Sequence, residues 1–186
     1  MKHLLIIFSL LLTSVSWSKD VYFDNLVERG GLYYEKYTNE PFTGKTIGDL
    51  QGKIKDGKLE GEWLEYYNNG ELLAKSNYKD GKKQGEYVVY YKNGGTDITG
   101  NFKEGKKEGE WLSYYYKSGQ LFNKNNYKDG KKHGEQLLYY SNGQYMKKSY
   151  YKEGKKAGKW NWYNRDGDLT ITHTYKDDKL IEKIEH

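Results

Sequence analysis

A chain of 186 residues with a mean hydropathy of −1.06 and only 35% of its residues in the hydrophobic class cannot assemble the aliphatic core of a packed two-layer domain. Yet 21 Tyr and 22 Gly make it too aromatic for a disordered chain, and they fit a pleated sheet punctuated by turns that need positive φ. The net charge of +5 is mild and dispersed, which argues against a nucleic-acid partner, and the absence of Cys excludes disulfides and thiolate metal sites.

In chain order, the first signal is a leader. Met1-Lys2-His3 is basic, Leu4 to Val15 is an apolar run too short to span a bilayer, and Ser16-Trp17-Ser18 places small residues before a cut between Ser18 and Lys19. Residues 1–18 are therefore expected to be a secretory signal peptide, and the mature chain is expected in a periplasm or outside the cell. No Cys follows the apolar run, so a lipoprotein anchor is excluded.

Residues 19–51 carry weak versions of a pattern that becomes regular further on, in Leu32-Tyr33-Tyr34 and Pro41-Phe42-Thr43-Gly44-Lys45. They read as leader or capping hairpins, with the single Pro at an edge that needs no ladder donor.

Residues 52–174 hold five repeats. Aligned at Ile54, Tyr78, Phe102, Tyr127, Tyr151 and Tyr175, the spacing is 24 residues, with one interval of 25. Each unit opens as in Tyr78-Lys79-Asp80-Gly81-Lys82-Lys83, and a second Gly follows four residues after the first (Gly61, Gly85, Gly109, Gly134, Gly158). A third follows at Gly70, Gly94, Gly119, Gly143 and Gly167, and the extra residue of the longer unit falls where Tyr114-Tyr115-Tyr116 replaces a Tyr pair. Gly61 to Tyr67 reads as a strand, Asn68-Asn69-Gly70 as a type I′ hairpin turn, and Glu71 to Lys79 as the return strand. Asp80-Gly81-Lys82-Lys83 reads as the turn into the next unit.

Along the strands, Trp63, Glu65 and Tyr67 share one face, as do Tyr87, Val89 and Tyr91, and Trp111, Ser113 and Tyr115. Leu64 and Tyr66 share the other. The prediction is an all-β protein: an elongated antiparallel sheet of tandem β-hairpins, single-layer or shallowly curled, stabilised by cross-strand aromatic pairs between neighbouring units. Residues 175–186 open a truncated repeat and then alternate charged with apolar residues, as a capping edge strand would.

Two surfaces are candidates for partner binding. The lysine pairs Lys82-Lys83, Lys106-Lys107, Lys131-Lys132 and Lys155-Lys156 would line one long edge as a basic stripe. The aromatic face, with Trp63, Tyr67, Tyr87, Tyr91, Trp111 and Tyr115, could stack on sugars or grip an extended peptide. Catalytic chemistry is not expected. His3, His133, His173 and His186 have no metal-ligand spacing, and His133 occupies a variable turn position with Gln84, Glu108 and Ala157 as equivalents. Asp56, Asp80, Glu104, Asp129 and Glu153 recur with the repeat, so they are read as structural acceptors for turn N–H groups rather than a unique site. Gly-Lys-Lys-x-Gly lacks the spacing, Ser/Thr and helix of a phosphate loop. No cofactor, metal or small-molecule substrate is expected.

The unit Tyr-Lys-Asp-Gly-Lys-Lys-x-Gly-Glu-Trp-x-x-Tyr-Tyr-x-x-Gly resembles the MORN repeat in its bacterial variant form, over about residues 52–186. Asp24 to Arg29 through Phe42-Thr43-Gly44-Lys45 is similar to the leader of bacterial YwqK-type proteins, usually labelled antitoxin components. The resemblance implies β-hairpin repeats with roles in protein contact, membrane association or toxin neutralisation. The expectation is an exported, non-catalytic binding or scaffold module of the bacterial envelope, antitoxin- or immunity-like, whose partner is a toxin or an envelope protein. The alternative is attachment to an anionic membrane or glycan surface through the lysine stripe and the aromatic face.

Overall fold

The computed structural model describes residues 19–186. The leader reading of residues 1–18 lies outside the described residues. The strands of the N-terminal segment are β1 (Lys19–Tyr22), β2 (Leu26–Arg29), β3 (Leu32–Glu35), β4 (Gly44–Ile47) and β5 (Leu50–Lys55), with a 3-10 turn at Phe23–Asn25. The repeats supply β6 (Lys58–Tyr66), β7 (Leu72–Lys79), β8 (Lys82–Tyr90), β9 (Thr96–Lys103), β10 (Lys106–Tyr114) and β11 (Leu121–Lys128). They continue as β12 (Lys131–Tyr139), β13 (Tyr145–Lys152), β14 (Lys155–Tyr163), β15 (Leu169–Lys176) and β16 (Lys179–Glu185).

Fourteen strands form one open sheet in the order β1-β4-β5, then every strand in sequence to β16. From β4 onward each strand pairs antiparallel with the next, as the repeat requires. At the N-terminal end β1 departs from the hairpin pattern by pairing parallel to β4, while β2 and β3 form their own two-stranded sheet. That small hairpin folds back over the sheet, with Leu26 packed with Val21, Phe42, Ile54 and Trp63 in a buried cluster. Ile54 is fully buried there. At the other end β16 is exposed along its whole length.

The two kinds of turn differ from the expected arrangement, and backbone geometry gives the reason. The type I′ turn lies at Asp80-Gly81, where both central residues have positive φ (50° and 80°), and Lys82 already opens β8. Asn68-Asn69-Gly70 is instead a three-residue loop. Gly70 N–H donates to Tyr67 O, Tyr67 N–H donates to Glu71 O, and Gly70 alone is left-handed (φ 83°). The extra residue of the third unit is absorbed in the same kind of loop, where Gly119 N–H reaches Tyr115 O and Tyr115 N–H reaches Gln120 O.

The glycine at Gly61, Gly85, Gly109, Gly134 and Gly158 is also left-handed, at a bulge in the first strand of each unit. Between the pairs Tyr78↔Lys83 and Ser76↔Tyr87, β8 runs through Gln84-Gly85-Glu86 while β7 supplies one residue. The bulge carries the Gln84 side chain to the turn of the next unit.

The core is a row rather than a layer. Along the middle of one face, here termed the tryptophan face, Trp63, Tyr87, Trp111, Gln136 and Trp160 occupy equivalent strand positions. They alternate with the small residues Gly52, Ser76, Gly100, Asn125 and Ser149 on intervening strands. The small residues leave room for rings to lie on the backbone. A Cβ at Gly100 would sit 2.3 Å from Trp111 Cδ2, and one at Gly52 2.2 Å from Trp63 Cδ2.

Candidate functional site

The lysine pairs divide between the two faces, because Lys82 and Lys83 are adjacent strand residues and side chains alternate. The first lysine of each pair stands at the turn, directly opposite another lysine. Lys79 faces Lys82, Lys103 faces Lys106, Lys128 faces Lys131 and Lys152 faces Lys155, and all eight are exposed. Lys55 faces Lys58 and Lys176 faces Lys179 in the same way. Like charges directly opposite each other destabilise a sheet, so this edge is held by other bonds.

Those bonds come from the neighbouring unit. Gly81 N–H donates to Leu59 O (2.9 Å), and Gly105, Gly130 and Gly154 do the same to Lys83, Lys107 and Lys132. The N–H before each of these glycines donates to a side chain one unit earlier: Asp80 to Glu60 Oε2 (3.0 Å), Glu104 to Gln84 Oε1 (2.9 Å), Asp129 to Glu108 Oε2 (2.9 Å) and Glu153 to His133 Nδ1 (3.4 Å). The recurring Asp/Glu was expected to accept from turn N–H groups; instead it takes the left-handed turn position and its own N–H is the donor. His133 is thereby one member of a chain of acceptors linking units. Ala157 cannot accept, and at the last turn Lys156 N–H donates to Asp178 Oδ1 instead (2.8 Å).

The second lysine of each pair lies half-buried on the tryptophan face, over aromatic rings. Lys83 Nζ is 4.3 Å from the Tyr87 centroid and 5.2 Å from Phe102; Lys107 is 4.0 Å from Trp111 and 5.1 Å from Tyr127. Lys132 lies over Tyr151, and Lys156 over Trp160 and Tyr175. Burial lowers the pKa of Lys83 and of Lys107, with the Lys132 charge adding to the shift at Lys107. Each ring contact supplies roughly 0.5–2 kcal/mol toward that burial.

The aromatic candidates are structural members of this face. Trp63 and Trp111 are 2% and 5% exposed, and Trp111 Nε1–H donates to Asn101 O (3.2 Å). Tyr67, Tyr91 and Tyr115 each donate a phenolic O–H to the carbonyl of the next unit's tyrosine, Tyr90, Tyr114 and Tyr139, and Tyr140 repeats the bond to Tyr163. Burial and the Asp97 carboxylate push the Tyr91 phenol up to about 12. Tyr87 packs on Trp111 and Phe102. This inter-unit ladder was not read from the sequence, although the second Tyr of the pair, present in four of the five units and replaced by Asn164 in the last, is its trace.

Two cavities open along the tryptophan face. One, of about 260 Å³, lies where Phe23 and Tyr33 of the N-terminal segment cover Trp63, Tyr78, Lys83 and Tyr87, with Glu65 in its wall; the buried Trp63 Nε1 has no partner there. The other, of about 210 Å³, lies in the fourth unit, where Gln136 stands in the tryptophan position. Gln136 is 4% exposed and its Nε2 donates to Asn126 O (3.0 Å), the carbonyl equivalent to those that Trp111 and Trp160 use. The short amide repeats the bond without filling the volume, and this leaves a notch. Among the described residues, no group of three or more His, Asp or Glu is placed to hold a metal ion, and no helix is long and apolar enough to cross a membrane.

A family model described as MORN repeat variant matches residues 59–80 and 132–153. Each match runs from the first strand of a hairpin to the first residue of the following I′ turn, the frame in which the hydrogen bonds between units recur. With the open sheet of hairpins, this supports a MORN-repeat protein, a class generally used for binding or scaffolding. A search of curated proteins finds no match for the chain.

Proposed function

We propose that the chain is a non-catalytic binding or scaffold module, exported to the bacterial envelope, that holds a protein partner along its tryptophan face. An immunity-type role fits this reading, since an exported protein could meet a toxin arriving in the periplasm. The observation that carries the proposal is the division of the sheet into two unlike faces. One face is a row of rings, broken at Gln136, with two cavities and half-buried lysines, while the other sets the ion pairs Lys75–Glu62 and Lys124–Glu110 beside a smaller ring cluster of Tyr139, Tyr145 and Tyr163. A photo-crosslinking residue at Tyr87 or Tyr151 should capture one envelope protein of defined mass, and one at Lys75 or Lys124 should not. Equal capture from both faces contradicts the assignment. Export is checked by the N-terminus of the mature protein, expected at Lys19 in the envelope fraction.

The six opposed lysine pairs favour a second reading, peripheral attachment to an anionic membrane or glycan surface through the turn edge. Each surface lysine adds at most about 1 kcal/mol near such a membrane. Changing Lys82, Lys106, Lys131 and Lys155 to Gln should then abolish binding to anionic vesicles. Retained binding removes this reading.

A further inference from the structure

The notch at Gln136 differs from the rest of the tryptophan face in charge as well as in volume. Lys132 and Lys147 line it, together with Asn123, Asn125, Ser149 and Tyr151. Lys156 stands beside them, since Lys147 Nζ and Lys156 Nζ lie 5.2 Å and 4.9 Å from the same Trp160 ring. No ion pair among the described residues involves these three ammonium groups. The reason is compositional: from β11 to β15 the strands contain one carboxylate, Glu135, and it follows the bulge glycine with its side chain on the opposite face from Gln136. Burial lowers the Lys147 pKa, and the charges of Lys132 and Lys156 lower it further, while the Asp178 carboxylate at this end of the sheet accepts from the Lys156 backbone N–H rather than pairing with any of the three ammonium groups. Gln136, in the wall of the notch, keeps a buried Oε1 with no partner. An unpartnered acceptor beside unpaired ammonium groups asks for a ligand that carries both an anion and an N–H or O–H donor.

We propose that this notch takes an acidic side chain of an extended peptide segment, the carboxylate lying between Lys132 and Lys147 and a peptide N–H reaching Gln136 Oε1. The proposal rests on the tryptophan face being the binding face, and it names the chemistry recognised there. An extended segment suits the site because the notch opens on the face of a sheet, and a peptide brings its donor and carboxylate within one residue of each other. The basic pocket also sets the sign of the partner: a segment rich in Asp or Glu is drawn in, and a basic one is repelled.

The test uses residues 19–186 and two synthetic hexapeptides, identical except for two central Glu in one and two Gln in the other. Followed by nuclear magnetic resonance at low salt, the Glu peptide should bind saturably and shift the Gln136 side-chain amide signals, at least tenfold more tightly than the Gln peptide. Lys132→Gln with Lys147→Gln should weaken binding tenfold or more, whereas Lys131→Gln with Lys155→Gln, on the opposite face, should change it less than threefold. Lys147→Gln alone is read the same way if the double variant unfolds. The proposal is overturned by equal affinity for the two peptides, by equal losses in the inner and outer variants, or by inorganic phosphate binding the notch more tightly than the Glu peptide. If the tryptophan face still crosslinks an envelope protein while neither peptide binds, the binding-module reading stands and the notch assignment falls.

Discussion

The third and fourth units differ at one position in a way that separates scaffold from site. Trp111 and Gln136 occupy the same place in the same strand, are almost equally buried, and donate to equivalent carbonyls. The register therefore accepts either feature alone: Trp111 and Trp160 bring ring and donor bond together, Gln136 makes the bond without a ring, and Tyr87 supplies a ring in the same row. Where the ring is present, Lys107 rests on it at 4.0 Å; where it is absent, Lys132 and Lys147 border an open volume. Stability in this ladder comes from bonds repeated between neighbours, and each unit is free to vary what it presents.

The largest expected effect follows from removing the ring where it is the core. Trp111→Ala should cost about 3–5 kcal/mol in urea denaturation, and Trp111→Gln clearly less because the bond to Asn101 O survives. If the two variants lose the same stability, the donor contributes nothing and the comparison fails. Next is the floor beneath the ring. Gly100→Ala sets a Cβ 2.3 Å from Trp111 Cδ2 and should cost about 1–3 kcal/mol, measured by the same unfolding curve. The corresponding small residue before Gln136 is already Asn125, so Asn125→Ala should cost less.

Smaller again is the link between turns. Gln84→Ala leaves the Glu104 N–H without its acceptor and should cost about 1 kcal/mol, while Ala157→Gln should give a gain of similar or lesser size at the one unit that lacks the acceptor. A gain from the first or a loss from the second would contradict the inter-unit bond.

The pH dependence sharpens the contrast between the rings and the lysines over them. Burial raises the phenols of Tyr78, Tyr87, Tyr127 and Tyr151 above their ordinary value of 10.0, so the folded chain holds protons that the unfolded chain releases. Their contribution is complete below pH 10 and is lost as pH rises through the folded-state values. Lys83, Lys107 and Lys147 act oppositely: their folded pKa is below 10.5, so stability rises as pH climbs through that depressed value toward 10.5. The raised tyrosines outnumber the lowered lysines, so unfolding midpoints should rise slightly below pH 10 and fall above it. A midpoint that keeps rising past pH 11 would show that the rings are not buried as described.

The repeat, the strand count per unit and the single sheet were legible because a 24-residue period with glycine at fixed offsets leaves few alternatives. The turn assignment was less legible. Asn-Gly is the commoner I′ signal, but a Tyr67–Glu71 backbone pair takes that loop and leaves the I′ geometry to Asp80-Gly81. Once Lys82 is placed in a strand, period-2 alternation sends Lys82 and Lys83 to opposite faces, and the basic stripe becomes an exposed edge and a half-buried row. The notch was hidden for a different reason. Gln136 reads as a polar interruption of an aromatic pattern, and only its register beside Lys132 and Lys147 shows that the interruption makes a pocket.

The most direct test of the account is Gln136→Trp, with Asn125 and Ser149 left in place as the small neighbours. The ring should fill the notch while donating to Asn126 O, so the unfolding midpoint should be equal to or higher than that of the parent. Affinity for the Glu hexapeptide should fall by tenfold or more. A variant that is destabilised, or that binds the peptide as the parent does, would contradict the claim that the ladder position is interchangeable and that its vacancy is the site.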